Sequence, residues 1–428
     1  MLGGISKVAA RLAKFVGAIS VLTLASAAFG QSATLPEGRS VIDCTGTMAP
    51  TPGVNLFSGF NDYLQKIGPT GTVYVNGPCP GNFQIWGGDN FTIIGPAEID
   101  GNISIGHSES AVFFKNLTIT QSTGDGVDIS GSKVSFDSCN VSNNAGNGVS
   151  INNASHVVVV GNGKFNGNRG NAGGFRVGGH SFLNIVPSGP VEIRGNSQSG
   201  IWASQADIAT SGNTTISDNV NGPGIYLLGG ARAQIGDTVD APNVIENNPN
   251  GGISVLENSE ISLWVCCSQN AQNFVRKNGK FGISAGFHSQ VTLSGAEISQ
   301  NSGPGVDVYA GSQLDFFPGT QNRIVGNGAL LSSPSPGVRV NGNSQAWLHG
   351  GEISNSLGSL GLGNQAPGIQ VVINSSVDLA GVNLGINAGG STTGAVNSNG
   401  ITCDFTSVAV SDLVLNWSTG CILGGRLH

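Results

Sequence analysis

The chain has 428 residues, of which 68 are glycine and 10% are charged, with a formal net charge of −7. The acidic balance argues against nucleic acid as a partner. Regularly spaced β-branched residues without long charge runs argue against disorder, and the length is unusual for one compact core.

Lys7, Arg11 and Lys14 flank the start of an apolar stretch from about Phe15 to Phe29, and Ala28 to Gly30 supplies small residues for cleavage. This pattern predicts a signal peptide over 1–30, of bacterial character. It implies a secreted protein: extracellular, periplasmic or on the cell surface. The alternative is a membrane anchor, for which the stretch is short against the roughly 20 residues of a span. Without the signal the formal charge becomes −10, and no membrane span is expected in what remains.

Residues 31–100 read as an N-terminal cap and the first coils. Leu56, Phe60, Leu64 and Ile67 recur at helical spacing behind Asn55 as N-cap, which predicts a short helix. From Gly71 the chain alternates instead, in Val73/Val75 and Phe83/Ile85, on to Ile93 and Ile99.

Over 101–428 a repeat takes over. Gly126, Gly148, Gly174, Gly200, Gly224, Gly252, Gly282, Gly305, Gly337, Gly368 and Gly400 stand 22 to 32 residues apart. After most of them comes an alternating pair such as Val127/Ile129, then a second such as Val134/Phe136. An apolar residue then precedes an asparagine by three, from Val141/Asn144 to Leu384/Asn387, with Ile353/Ser356 as the break. A period of this size means stacked units that share one core. Strands split by Gly, Asn and Ser turns leave no room for crossover helices. Each repeat is therefore predicted to be one coil of two or three short strands, stacked at about 4.8 Å. The asparagines should form a ladder, and the glycines should suit turns with positive φ. Leu413 to Leu427 should close the far end, and Leu330 to Pro336 should be a long turn within one coil.

Over about residues 70 to 425 this pattern resembles the right-handed parallel β-helix superfamily, the pectate-lyase-like fold, in its generic repeat form. The resemblance implies an all-β solenoid of about eleven or more coils with a short N-terminal capping helix, which hides an otherwise open strand edge. It matches no specific enzyme family.

The seven cysteines are Cys44, Cys79, Cys139, Cys266, Cys267, Cys403 and Cys421. Export permits disulfides. Cys44–Cys79 and Cys403–Cys421 would each close one end, and Cys266–Cys267 are either a vicinal bridge or a reduced buried pair. Cys139 is then the odd one. No spacing suits zinc.

A filled core puts function on the outside. The second residue after each repeat glycine should point outward: Asp128, Ser150, Arg176, Trp202, Tyr226, Ser254, Ser284, Asp307, Arg339, Gln370 and Thr402. Aromatic faces stack on sugar rings and polar neighbours bond their hydroxyls, so Ser150, Trp202 and Tyr226 are candidate carbohydrate-binding residues. The alternative is ordinary strand surface, with Arg176 and Trp202 as a cation–π pair. Asp307 and Arg339, near Tyr309, read as an ion pair between adjacent coils. Trp264, Trp347 and His349 belong near the second strand and its turn.

Thr123-Gly124-Asp125-Gly126-Val127-Asp128 resembles the Asn-Thr-Asp-Gly-x-Asp segment of the polygalacturonases, whose acids activate water or protonate the leaving group. The resemblance gives those roles to Asp125 and Asp128. That family's Asp-Asp, Gly-His-Gly and Arg-Ile-Lys motifs are missing, and Gly179-His180-Ser181 is a distant echo. Inverting hydrolysis needs two carboxylates roughly 6.5–9.5 Å apart. A lyase of this fold uses an Arg or Lys base, a role open to Arg176, and only then would Ca²⁺ be expected as cofactor. The Tyr-Gly-x-Asp-Pro-His signature of alginate epimerases is absent.

Three functions follow. One is a secreted, monomeric β-helix that interacts with extracellular polysaccharide, with catalysis left open. The others are a polysaccharide lyase or glycoside hydrolase, and a non-catalytic structural or adhesive solenoid. The first is the reading adopted.

Overall fold

The structure is a computed structural model that describes residues 40–43, 71–86, 91–107, 111–236, 241–265, 273–318, 320–328, 335–354, 367–383, 401–403, 408–411 and 422–424. The chain divides into two units, Met1–Arg39 and Ser40–His428. The first unit, where the signal peptide is expected, lies outside the described residues, as does the helix expected over 55–67.

The described part of the second unit is built from parallel strands in three series, one of each per coil. The first series forms a sheet of 13 strands from Phe83–Trp86 to Ile401–Cys403. The second series includes Lys133–Asp137, His156–Val160 and Phe182–Ile185, and the third includes Asn140–Ser142, Gly163–Lys164 and Val191–Arg194. These two share one 25-stranded sheet. They merge because the long strand Ala111–Thr120 pairs with Lys133–Asp137 in its first half and Asn140–Ser142 in its second. The result is a right-handed parallel β-helix, as the repeat predicts. The described end of the expected closing coil is the strand Ile422–Gly424, paired with Val408–Ser411.

Alternation along each strand decides what is inside. Val127 and Ile129, Val149 and Ile151, Ile201 and Ala203 are all 0% exposed, and each large aliphatic side chain so buried contributes about 1.5–3 kcal/mol. In the early coils the core holds a stack of rings. Phe114 lies 5.5 Å from Phe136, Phe136 lies 6.1 Å from Phe165, and Phe165 lies 4.4 Å from Phe175, spacings suited to tilted and edge-on packing.

The asparagine ladder is present. From Asn144 through Asn168, Asn196, Asn219, Asn248, Asn278 and Asn301 to Asn327, each Nδ2 donates to the next Oδ1 at 2.9–3.1 Å. Each of these side chains is fully buried, so the ladder satisfies groups that water cannot reach.

The repeat glycines have a different reason from the one expected. From Gly126 to Gly305 they lie outside the left-handed region. What they lack is space. A Cβ on Gly126 would meet Asn144 Nδ2 at 2.6 Å and both Gly148 O and Val141 Cγ1 at 2.8 Å. Glycine, apolar residue and asparagine recur together because they touch.

A second ladder went unread in the sequence. The backbone N–H groups of Ser132, Ser155, Ser259, Ser289, Ser312 and Ser344 each donate to the hydroxyl of a serine on the next coil, at 3.1–3.3 Å. Its signal was available: a serine stands just before the second strand in most repeats.

Cys139 is a buried free thiol, its pKa pushed up to about 12, chiefly by burial. The expected end-closing pairs and the Cys266–Cys267 pair involve Cys44, Cys266, Cys267 and Cys421, which lie outside the described residues.

Candidate functional site

Strand register sets the predicted outward column in one line, one residue per coil. It runs from Ser104 through Asp128, Ser150, Arg176, Trp202 and Tyr226 to Thr402. Pointing outward is not the same as being exposed. Arg176 is exposed, and Trp202 and Tyr226 are partly so. Ser150 is only 2% exposed, and its hydroxyl takes a hydrogen bond from Asn152 Nδ2 at 3.0 Å. Buried and engaged by Asn152, Ser150 offers a sugar almost no surface. That corrects its place among the candidate binding residues.

Beside the column lies an open cleft of about 570 Å³. Asp125, Arg176 and Trp202 line it, together with Asn147, Arg169 and Asn171. The Arg176 guanidinium carbon sits 5.7 Å from the Trp202 ring centroid, a cation–π distance. Asp128 and Tyr226 are not among the lining residues.

Glycine turns shape this cleft. The amide of Gly146 donates to Gly124 O and that of Gly170 to Gly146 O, both at 2.7 Å. A Cβ on Gly146 would strike Asp125 Oδ1, and one on Gly170 would strike Asn147. Without those side chains, three turns nest closely. Asp125 is fixed in its turn, because its carbonyl accepts from Asn102 Nδ2 at 2.7 Å and Ser122 Oγ at 2.8 Å. Its carboxylate Oδ1 accepts from the Asn147 amide at 2.6 Å and from Asn147 Nδ2 at 3.0 Å. Asn147 Oδ1 in turn accepts from the Ala172 and Gly173 amides at 2.9 and 3.0 Å.

Burial holds the Asp128 carboxyl above its ordinary range. The charge of Asp125 adds to the rise, and that of Arg176 opposes it. The three residues named as catalytic candidates thus share one electrostatic neighbourhood. Asp128 and Arg176 are two coils apart, about 10 Å along the axis. Ca²⁺ takes six to eight oxygens. The column and cleft bring together two carboxylates, one of which already engages Asn147, so this donor set does not fit the ion. Among the described residues, no group of three or more His, Cys, Asp and Glu side chains gathers at one point.

Asp307 and Arg339 form the ion pair the spacing suggested. Arg339 Nε donates to Asp307 Oδ1 at 2.8 Å and Nη2 donates to Oδ2. Ser181, in the Gly-His-Ser echo, spends its hydroxyl accepting the Ser155 amide in the serine ladder, so that echo is structural. Trp264, Trp347 and His349 all lie on the second series, in Glu260–Trp264 and Gln345–His349. Arg169, Asn147 and Asn171 were missed. They sit in turns leading into the first strand, and only Asn147 had a periodic signal, standing before Gly148 as Asp125 stands before Gly126.

The right handed beta helix region family matches residues 83–262 and 199–384. No curated protein matches the chain. Among solved structures, the A-module of the Azotobacter vinelandii mannuronan C-5 epimerase is 18% identical, with a TM-score of 0.48. That match covers 79% of this chain and 96% of the other. A pectate lyase is 13% identical with a TM-score of 0.26, covering 76% of this chain and 71% of the other.

Proposed function

The chain belongs to the right-handed beta-helix family, and from its outer surface we propose that it is a secreted protein binding extracellular polysaccharide at the cleft of Arg169, Arg176 and Trp202. One observation carries the reading: an indole and two arginines line one open cleft, with the Arg176 guanidinium 5.7 Å from the Trp202 ring centroid. The indole offers a stacking face for a sugar ring. Guanidiniums match carboxylates in a bidentate fork, which favours an acidic sugar unit. Asp125, oriented by Asn147, is placed to accept from sugar hydroxyls. Tyr226, next along the column after Trp202, would extend the contact to a neighbouring unit.

Catalysis is a second reading, favoured by Asp128. Its carboxyl is biased towards the protonated form by burial first and by the charge of Asp125 second, and an acid held protonated suits general-acid chemistry. The enzyme would then be a polysaccharide lyase or glycoside hydrolase.

The test is retention of the mature protein on gels of acidic polysaccharides, with and without Ca²⁺, while products are assayed. Retention by at least one uronate polymer is expected, and the Trp202→Ala/Tyr226→Ala double variant should lose it without a change in melting temperature. Unchanged retention in that variant would sink the binding reading. New reducing ends or unsaturated products would establish the enzymatic one.

A further inference from the structure

The second strand series carries a cluster that the cleft does not involve. Register places Asp315 beside Trp347, and Trp347 beside Asp378, on three successive coils. Trp347 is partly exposed. His349 Nε2 lies 3.6 Å from Asp378 Oδ2, and Gln290 Nε2 donates to Asp315 Oδ2 at 3.2 Å.

The third series shows what acids look like here when they serve the fold. Glu297, Arg323 and Glu352 also occupy three successive coils in register. There the residue between two acids is an arginine, which bonds Glu297 at 2.7 Å and Glu352 at 3.2 Å. Between Asp315 and Asp378 stands an indole, which offers neither carboxylate a charge. Burial moreover raises the Asp315 carboxyl, with Gln290 and His349 opposing, so this acid costs stability where it stands. Groups that the fold tolerates at a cost tend to mark sites.

We propose that the second series carries a separate carbohydrate platform, on which a neutral sugar ring stacks on Trp347 while Asp315 and Asp378 accept hydrogen bonds from its hydroxyls. A pyranose presents an apolar face to the ring and a rim of O–H donors to the flanking carboxylates. Gln290 orients Asp315 through its hydrogen bond, and His349 lies beside Asp378. Acids in place of guanidiniums reverse the preference of the cleft, since a uronate would meet like charge here. The inference stands apart from the cleft reading, because it uses other residues on another strand series.

The experiment is calorimetric titration of the full chain with neutral β-1,4-linked hexasaccharides of glucose, mannose and galactose, and with a cationic glucosamine hexamer. At least one neutral hexasaccharide should bind. Trp347→Ala should weaken that binding tenfold or more, and Asp378→Asn should weaken it measurably. Melting curves check that the variants fold, and the near-isosteric Asp378→Asn carries the test if Trp347→Ala does not. The proposal is overturned if no neutral hexasaccharide binds or if Trp347→Ala binds as the parent does. A preference for the glucosamine hexamer would overturn the assignment to a neutral sugar.

Discussion

Arg176 and Arg339 occupy the same column of the same sheet, six coils apart, yet their surroundings differ. The coil before Arg339 offers Asp307, whose carboxylate is only 13% exposed and takes both ends of the guanidinium fork. The coil before Arg176 offers Ser150, and among the described residues Arg176 enters no ion pair. Its contact is the ring of Trp202, beside a cleft that Arg169 also lines. Identical position and identical chemistry thus yield a clasp at one end and an open cationic face at the other. The residue one coil earlier decides which.

If that distinction holds, frame residues should cost folding when removed, and site residues should cost binding. The ladder sets the largest expected effect. Asn248→Ala leaves the Asn219 amide and Nδ2 without their shared acceptor and removes the donor to Ile216 O. Buried unsatisfied groups cost about 1–3 kcal/mol each, so a loss of roughly 3 kcal/mol is expected in denaturant unfolding. A loss below about 1 kcal/mol would mean that the ladder relaxes around the gap.

The two arginines give the sharper contrast. Arg176→Ala should weaken polysaccharide binding tenfold or more, about 1.4 kcal/mol, while stability stays within about 0.5 kcal/mol. Arg339→Ala should do the reverse. It leaves a well-buried carboxylate unpaired, a case between exposed and buried ion pairs, so roughly 1–2 kcal/mol of stability should go. Binding should not change. Paired melting and retention measurements on both variants decide the matter, and equal binding losses would erase the distinction.

How much of this was legible in the sequence depends on periodicity. The coil was legible because Gly126, Val141 and Asn144 recur as a set, though the reason for the glycine, contact with the other two, needed coordinates. The column was legible because register follows phase, so Asp128, Arg176, Trp202 and Tyr226 could be aligned before any strand was seen. Ser150 shows the limit of phase, which gives direction and not exposure: it points outward yet is 2% exposed. Arg169 escaped because turns differ in length from coil to coil. It stands five residues before Gly174 in a longer turn and has no fixed offset, whereas Asn147 precedes Gly148 as Asp125 precedes Gly126, so that meeting follows from phase.

Asp128 supplies the smallest effect and the most direct probe of the field around Arg176. An aspartate in an unfolded chain ionises near roughly 3.9. The folded value is raised, by burial first and by Asp125 second, with Arg176 opposing. The sign then follows: the folded state holds the proton more tightly than the unfolded one. Asp128 contributes its full stability below the unfolded value and loses it as pH rises through the folded value. Asp128→Asn cannot ionise, so the variant should gain on the parent across that window. The gain should stay below about 1 kcal/mol after allowance for solvent screening. Arg176→Ala removes the one opposing charge, so the Asp128 midpoint, followed by carboxyl carbon resonance, should move upward in that variant. Arg339→Ala, six coils away and beyond the screening length of about 8–10 Å, should leave it where it was. A midpoint that moved equally in both variants, or in neither, would mean that Arg176 does not hold the field at the cleft.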